Sequence, residues 1–379
     1  MGNAMKSSRR HLTHIASGDV WAGAEKQLYE LCKALVSTNS LNISAILFNE
    51  GVLADKLRQL NIDVTIADEA KLSPLSMIRN IRNHFIRHAS SILHTHGFKE
   101  NILGVIASIK TPVTSLVRTI HGGSESNVSW NKPHKKVTHI ADQLLTRHKV
   151  DRIVAVSGPL YQLLSERHPN KVVKIFNFID SRELEALSSN KQPNETFTIG
   201  IVGRLAPVKR IDLFVETIKE LHKKGHHEIK GKIIGDGPLR KSTEELVRQE
   251  NLSQYIEFTG FVDPSTPEIA NLDLLLMTSD HEGLPMTLLE ALALKVPVVA
   301  HNVGGIPEAL NSGSAGLLVD DHSALGYATA VDKVLNNPAE RERMQMNGLS
   351  YLRENFDSVK KSREYLNLYF QLLGQELSR

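Results

Sequence analysis

Cysteine is almost absent from this chain: Cys32 is the one thiol in 379 residues, so no internal disulfide can form. No charged-then-apolar leader is read ahead of the first periodic segment, and together these features set the expectation of a reducing compartment, the cytoplasm. Met1-Gly2 begins a myristoylation pattern, but Lys6 stands where that pattern needs Ser or Thr. Long apolar runs are missing too; stretches such as 274–277 fall far short of the roughly 18 residues of a spanning helix. The formal charge of +3 is too small to point to nucleic acid by itself, and nucleic acid is not expected as a partner. Neither an intact G-x-G-x-x-G fingerprint nor a Walker lysine loop occurs, which counts against a dinucleotide dehydrogenase and a P-loop phosphotransferase. No solenoid-length repeat or low-complexity tract is present.

What is present is ordinary globular composition, 41% hydrophobic and 23% charged, in a chain long enough for two or three domains. Short β-rich runs alternate with segments of helical period, the pattern of βαβ units and parallel sheets. In the first half the expected strands are 11–16, 43–48, 64–67, 91–94, 114–120, 152–156 and 172–176. Between the first two, Leu28, Leu31, Cys32 and Leu35 recur at spacings of three and four and predict a helix over 24–36. Residues 180–196 change character, with Ser188, Ser189, Asn190, Gln192, Pro193 and Asn194 forming a polar, turn-rich stretch where a domain boundary is expected. A second βα series follows, with strands at 197–202, 231–234, 256–259, 272–277, 297–300 and 316–319. The fold class is therefore α/β, two Rossmann-like doubly wound domains. They are assigned to 1–180 and 195–357, with an apolar-striped helix over 358–377 packed on one of them.

Four loops at strand ends carry candidate chemistry. Residues 199–210 form a buried strand ending in Gly203, then a loop releasing Arg204 and Lys209 beyond its carboxyl end, the edge where open α/β sheets bind ligands. A guanidinium fork and an ammonium point charge five residues apart suit a diphosphate, although two surface cations on a solvated loop would look alike. The segment 279–292 holds Glu282, Gly283, Leu284, Pro285, Thr287 and Glu290, with Pro285 expected in the first turn of a helix. The amides near Leu284 to Thr287 then form an anion site. Glu282 suits sugar hydroxyls or a developing positive charge, and Glu290 suits both hydroxyls of a ribose; the alternative is that both acids serve the helix dipole. Gly304-Gly305 before Ile306-Pro307-Glu308, and Gly235-Asp236-Gly237-Pro238, repeat the theme of strand, glycines and helix start.

Taken in order, Gly203-Arg204-Leu205 with Lys209, Gly235 to Pro238, Phe258 to Val262, the Glu282/Glu290 pair and Gly304 to Glu308 resemble the nucleotide-sugar-dependent GT-B glycosyltransferases of family four. The resemblance covers about residues 197–320 and implies that Arg204 and Lys209 grip the donor diphosphate, Glu282 the transferred sugar and Glu290 the ribose. It further implies that the backbone near Val262, with Gly203 and Gly237, borders the donor, while Leu284 and Thr287 offer amides to sugar or phosphate. In the first half Ala22-Gly23-Ala24-Glu25 is similar to the family's Gly-Gly loop, with Gly23 in the place of the second glycine. Thr119-Ile120-His121-Gly122 puts His121 where the family often has a sugar-contacting histidine. Two departures stand out. Arg210 replaces a glycine common after the lysine, and Phe178 interrupts the usual Asn-Gly-Ile-Asp, here Asn177 to Asp180.

The resemblance implies two domains facing across a cleft, with the C-terminal helix crossing back onto the first. The expected activity is hexosyl transfer from a nucleoside diphosphate sugar to an acceptor hydroxyl, with retention, without cofactor or metal, in bacterial-type glycan or glycolipid synthesis. His94-Thr95-His96 does not alter the metal-free expectation, since two histidines without further spaced ligands are a weak signal. A 2-epimerase acting on the nucleotide sugar and a non-catalytic sugar-nucleotide-binding partner are the alternatives. Residues 118–174 carry ten Lys or Arg against four Asp or Glu, a surplus that suits a phosphorylated acceptor or anionic lipid at the inner membrane face, or is a solvated surface.

Overall fold

The β-branched runs of the first half become, in a computed structural model of the chain, strands β1 (His11–Ala16), β2 (Asn42–Leu47), β3 (Asp63–Ile66), β4 (Ile92–Thr95), β5 (Ser115–Ile120), β6 (Arg152–Ala155) and β7 (Val172–Lys174). The structure describes residues 10–122, 133–188 and 196–374. These strands form one parallel sheet in the order β3-β2-β1-β4-β5-β6-β7. Helices α1 (Gly23–Thr38), α2 (Val52–Gln59), α3 (Pro74–Arg87), α4 (Phe98–Ser108), α5 (Pro133–Lys149) and α6 (Gly158–Arg167) connect them. Alternation along the strands sends Ile15, Ile46 and Leu93 against Met77, Ile81 and Phe85 of α3. On the opposite face Ala16, Ala45 and Leu47 meet Leu28 and Cys32 of α1 and Leu53 and Leu57 of α2. Burial on both faces is what a parallel sheet requires, and it explains the near-continuous apolar strands.

The second series reads α7 (Ser181–Ser188), β8 (Thr198–Val202), α8 (Ile211–Lys223), β9 (Lys230–Ile234), α9 (Arg240–Gln249), β10 (Ile256–Gly260), α10 (Thr266–Ala270), β11 (Leu274–Met277), α11 (Met286–Ala293), β12 (Val298–His301), α12 (Ile306–Ala309), β13 (Leu317–Val319), α13 (Ala324–Leu335) and α14 (Pro338–Asn355). Its parallel sheet has the order β10-β9-β8-β11-β12-β13. Phe214, Ile218 and Leu221 of α8 pack with Ile199, Ile201 and Ile233, and Tyr327 and Val331 of α13 join the same core. The final helix α15 (Ser358–Leu372) packs on α1, and its Tyr369 hydroxyl meets His94 Nδ1 at 2.7 Å.

Contacts divide the chain into two units, Met1–Phe176 with Ser358–Arg379, and Asn177–Asp357. The turn-rich stretch at 180–196 thus opens with a helix of the second unit: α7 packs on α10 and α11. The remainder of that stretch, 189–195, lies outside the described residues, as do 375–377 of the expected C-terminal helix. Phe178 is fully buried, so an apolar ring fills a place the resembling family gives to glycine.

The first unit's core is unusually rich in histidine. Ser44 Oγ meets His11 Nε2 at 2.8 Å, His84 Nε2 at 2.8 Å and Thr13 Oγ1 at 3.0 Å. Burial drives the pKa of His14 and His84 down to about 3 and that of His11 and His121 to about 4, all from an ordinary 6.5. The unfolded chain binds protons that these rings refuse. Their contribution to stability is therefore complete above about pH 6.5 and is lost as the pH falls toward 4. Hydrogen exchange, corrected for intrinsic rates, should show β1 and β4 losing far more protection between pH 7 and 5 than β8 and β11. Equal losses would contradict this account.

Candidate functional site

In both sheets the strand order reverses once, between β1 and β4 and between β8 and β11, and ligands of open α/β sheets settle outside the carboxyl ends of such strands. At that edge of the second unit the loop after β8 begins with Gly203, whose φ of +144° lies in a region that favours glycine. Gly203 N–H donates to Ile234 O at 2.9 Å, Leu205 N–H to Asp236 O at 2.9 Å and Gly235 N–H to Gly260 O at 2.9 Å. The loops after β8, β9 and β10 are thereby laced together through their backbones. A Cβ on Gly235 would lie 2.0 Å from Gly203 O, and one on Gly237 would lie 2.6 Å from Leu205 O. These glycines are required by loop-to-loop contact, a role the sequence reading did not assign to them.

A second lacing joins the loops after β11 and β12. Gly305 N–H donates to Gly283 O at 2.8 Å, and a Cβ on Gly304 would meet Glu282 O at 1.9 Å. Thr278 Oγ1 donates to the carbonyls of Lys209 and Arg210, each at 2.9 Å, while Asp280 N–H donates to Val208 O at 2.8 Å. The β8 and β11 loops are thus pinned side by side, and Lys209 Nζ reaches Glu282 Oε1 at 2.6 Å. Both partners are largely shielded, with 23% and 11% of their side chains exposed. Arg204 is exposed and has no ion pair with any described residue.

Arg210 adopts the left-handed conformation, φ 48° and ψ 52°, which identifies why a glycine is common at that position in the resembling family. Its guanidinium compensates by binding Asp212 at 2.7 Å and Asp280 at 3.4 Å. Asp280 also accepts from His322 Nε2 at 2.9 Å, and His322 stacks on His301 at 3.8 Å. This Asp280–Arg210–His322 cluster was not found by sequence reasoning, because its members come from three separate loops.

The remaining candidates of the second unit fall close by in the chain but differ in exposure. Helix α11 starts at Met286, with Pro285 as its N-cap residue rather than inside its first turn, and no side chain caps its amides. Thr287 is half-buried there, Leu284 is buried, and its carbonyl accepts from Asn177 Nδ2 at 2.6 Å. Glu290 is wholly buried, whereas Val262 is half-buried in the loop after β10.

On the first unit, Gly23 opens α1 and is exposed; a Cβ there would meet nothing within 4 Å. The described protein therefore gives no steric reason for glycine at this position. Two residues on, burial raises the Glu25 carboxyl to a pKa of about 7. His121 follows β5, half-buried, with Nε2 3.3 Å from His96 Nδ1. Among the described residues His14, His94 and His96 place ring nitrogens within 4.8 Å of one another, the spacing of a metal-ligand group. His94, however, already spends Nδ1 on Tyr369 and Nε2 on Thr119 Oγ1, 2.8 Å away.

Known proteins resemble both units. The family model "Glycosyltransferase Family 4" matches residues 21–183 and "Glycosyl transferases group 1" matches 182–350. Alpha-D-kanosaminyltransferase of Streptomyces kanamyceticus is 32% identical over 148 residues, 38% of this chain and 38% of that protein. N-acetyl-alpha-D-glucosaminyl L-malate synthase of Bacillus anthracis is 27% identical over 245 residues, 61% of this chain and 63% of that protein. The matched parts therefore span less than two thirds of these relatives. Among solved structures, Anabaena Alr3699/HepE in complex with UDP-glucose gives a TM-score of 0.79 at 18% identity, covering 95% of this chain and 99% of that chain. Sucrose-phosphate synthase from Thermosynechococcus elongatus also gives 0.79, at 17% identity, covering 97% and 100%.

Gly304→Ala should cost at least about 1–3 kcal/mol of stability, because its φ of +59° and its contact with Glu282 both oppose a side chain. Gly23→Ala should leave the thermal midpoint unchanged or higher, since a Cβ there meets nothing within 4 Å. Calorimetry of the two variants beside wild type checks the contrast, and a destabilised Gly23→Ala would refute it.

Proposed function

Because the chain belongs to the family 4 type of GT-B glycosyltransferases, we propose that it transfers a sugar from a nucleoside diphosphate sugar to an acceptor hydroxyl in glycan synthesis. The observation that carries this reading is the charge arrangement in the loops at the carboxyl ends of β8 and β11: a pinned Lys209–Glu282 pair, with an exposed Arg204 on the same β8 loop that has no ion pair among the described residues. A bare diphosphate would draw Lys209 away and leave Glu282, largely shielded, without its cation, an unfavourable exchange. A nucleotide sugar serves both partners, since its phosphates are anionic and its hydroxyls can donate to the carboxylate. The UDP and UDP-glucose bound in the Anabaena structures support a donor of this class.

In the proposed reaction the anomeric carbon–oxygen bond to the donor phosphate breaks and a bond to the acceptor oxygen forms. The acceptor proton passes to the departing phosphate, and the nucleoside diphosphate leaves. Arg204, Lys209 and the amides opening α11 stabilise the negative charge that grows on the leaving oxygen, electrostatic catalysis by groups held in place beforehand. Glu282 orients the sugar and Glu290 the ribose. Retention at the anomeric carbon and independence from metal and cofactor belong to this reading as proposals, as does a cytoplasmic location. Arg204→Ala should lower kcat/KM about 10- to 100-fold, the worth of a charge-assisted hydrogen bond, with the thermal midpoint unmoved. Unchanged turnover with a working acceptor would remove Arg204 from the donor site.

The acceptor is proposed to be carried by, or to lie close to, an anionic membrane surface, and α5 supplies the observation. Its Asp142 and Thr146 face inward onto the buried Arg118, Asp142 at 2.6 Å, whereas Ile140 and Leu144 are 56% and 53% exposed. An apolar pair turned outward, beside exposed Arg147, His148 and Lys149, suits the boundary between headgroups and acyl chains. Part of the basic region, 123–132, lies outside the described residues. No described helix is long and apolar enough to cross a membrane. Vesicles of phosphatidylcholine with phosphatidylserine should sediment the protein at low salt, and Ile140→Ser/Leu144→Ser should release it. No sedimentation of wild type would end the membrane proposal.

A further inference from the structure

Helix α13 reaches the loops of the second unit through an ordered series of side chains. Tyr327, buried on α13, places its hydroxyl 2.7 Å from His322 Nδ1, and His322, in the loop between β13 and α13, places Nε2 2.9 Å from Asp280 Oδ1. The same Asp280 oxygen meets Arg210 Nη1 at 3.4 Å. His301, the last residue of β12, stacks on His322 at 3.8 Å and 9°, and its Nδ1 lies 2.8 Å from the carbonyl oxygen of Ser279. Each imidazole thus grips the β11 loop, one by its backbone and the other by a side chain.

Groups that can only accept fix the direction of these bonds. A carbonyl accepts, so His301 carries a proton on Nδ1. Partial burial works against ionisation of Asp280, but the bonds from His322 and Arg210 outweigh it and hold its carboxyl below the usual range. The carboxylate therefore accepts, His322 donates from Nε2, and the His322 Nδ1 lone pair takes the Tyr327 O–H. Asp280 is 40% exposed, and without His322 it keeps only the longer contact with Arg210. Arg210 has a nearer choice, since Asp212 takes its Nε at 3.1 Å and its Nη2 at 2.7 Å. A guanidinium left to Asp212 alone stays with α8, whereas the bond to Asp280 carries it across to the β11 loop.

Resting on the glycosyl-transfer reading for its consequence, we propose that His322 is a positioning residue for Lys209: it fixes the Asp280 carboxylate, which draws Arg210 across from α8 and so holds the preceding residue, Lys209, at Glu282. The carbonyls of Lys209 and Arg210 already accept from Thr278, which secures the backbone of the turn. The Arg210–Asp280 bridge adds a tie between the same two loops that does not involve the Lys209–Glu282 pair, so it persists when a ligand engages that pair. It matters most once substrate has taken Lys209 from Glu282, which is the reacting state.

Donor kinetics at a single pH test the assignment. His322→Leu should lower kcat about three- to tenfold, the worth of roughly one hydrogen bond, with KM for the donor changed less than about twofold. His322→Gln, whose amide can donate to Asp280 and accept from Tyr327, should recover most of the loss. In an Arg210→Gly background the same His322→Leu change should lower kcat no further, because the path to Lys209 is already cut. An equal factor in both backgrounds, or no recovery by His322→Gln, would overturn the proposal. Should His322→Leu fail to fold, Tyr327→Phe takes its place in the two backgrounds with the same opposed outcomes, since it removes the buried hydroxyl outright. Nitrogen-15 signals of the Arg210 guanidinium in ligand-free protein report the bridge without turnover. His322→Leu should shift them and His322→Gln should return them toward wild type; unaltered signals in His322→Leu would overturn the proposal whatever the kinetics. If wild type transfers no sugar while those signals still follow His322, the transfer reading fails and the tie from His322 to Arg210 stands.

Discussion

Backbone contact between glycine-containing loops is the constraint on which the second unit's candidate site depends. Gly235 sits against Gly203, Gly237 against Leu205 and Gly304 against Glu282 at separations that admit no side chain. The hydrogen bonds across these contacts are backbone to backbone, so they hold the loops in register without drawing on the charged side chains. Arg204, Lys209 and Glu282 are consequently available for a ligand on a frame they do not themselves support.

Lys209 and Glu282 illustrate how the frame acts on electrostatics. Their ion pair is partly screened from water, where removing one partner costs more than at an open surface. Occupancy by a ligand must therefore compensate both members together. Arg204, exposed and unpaired among the described residues, imposes no such condition and adds attraction for any anion.

Much of this was legible in the sequence, because motifs at strand ends are local. Gly203-Arg204, Gly235 to Pro238 and Gly304 to Glu308 each combine a strand, a turn and a helix start within a few residues, so period and turn chemistry suffice to place them. Features assembled from distant strands were not legible. The chain of His14, His96 and His121 exists only because β1 lies next to β4 and β4 next to β5, and the Asp280–Arg210–His322 cluster needs three loops at one edge. Helix α7 was read as turn-rich because its polar residues were weighed with those of the following segment, although Ser181–Ser188 packs on α10 and α11.

Arg210 shows how a departure from a family pattern can be accommodated rather than structural in itself. The chain must turn left-handed between Lys209 and α8, a conformation costing an ordinary residue roughly 1–2 kcal/mol that glycine would avoid. Arginine offsets that cost with carboxylates at both sides, Asp212 at the start of α8 and Asp280 after β11. The bond to Asp280 gives it a second role, since it adds a side-chain tie to the backbone bonds that already join the β8 and β11 loops. A glycine would relax the turn and remove that tie, leaving the position of Lys209 to the Thr278 and Asp280 backbone contacts alone. The strained residue therefore contributes to the same end as the glycines around it: a loop whose lysine stands at Glu282 before any ligand is bound.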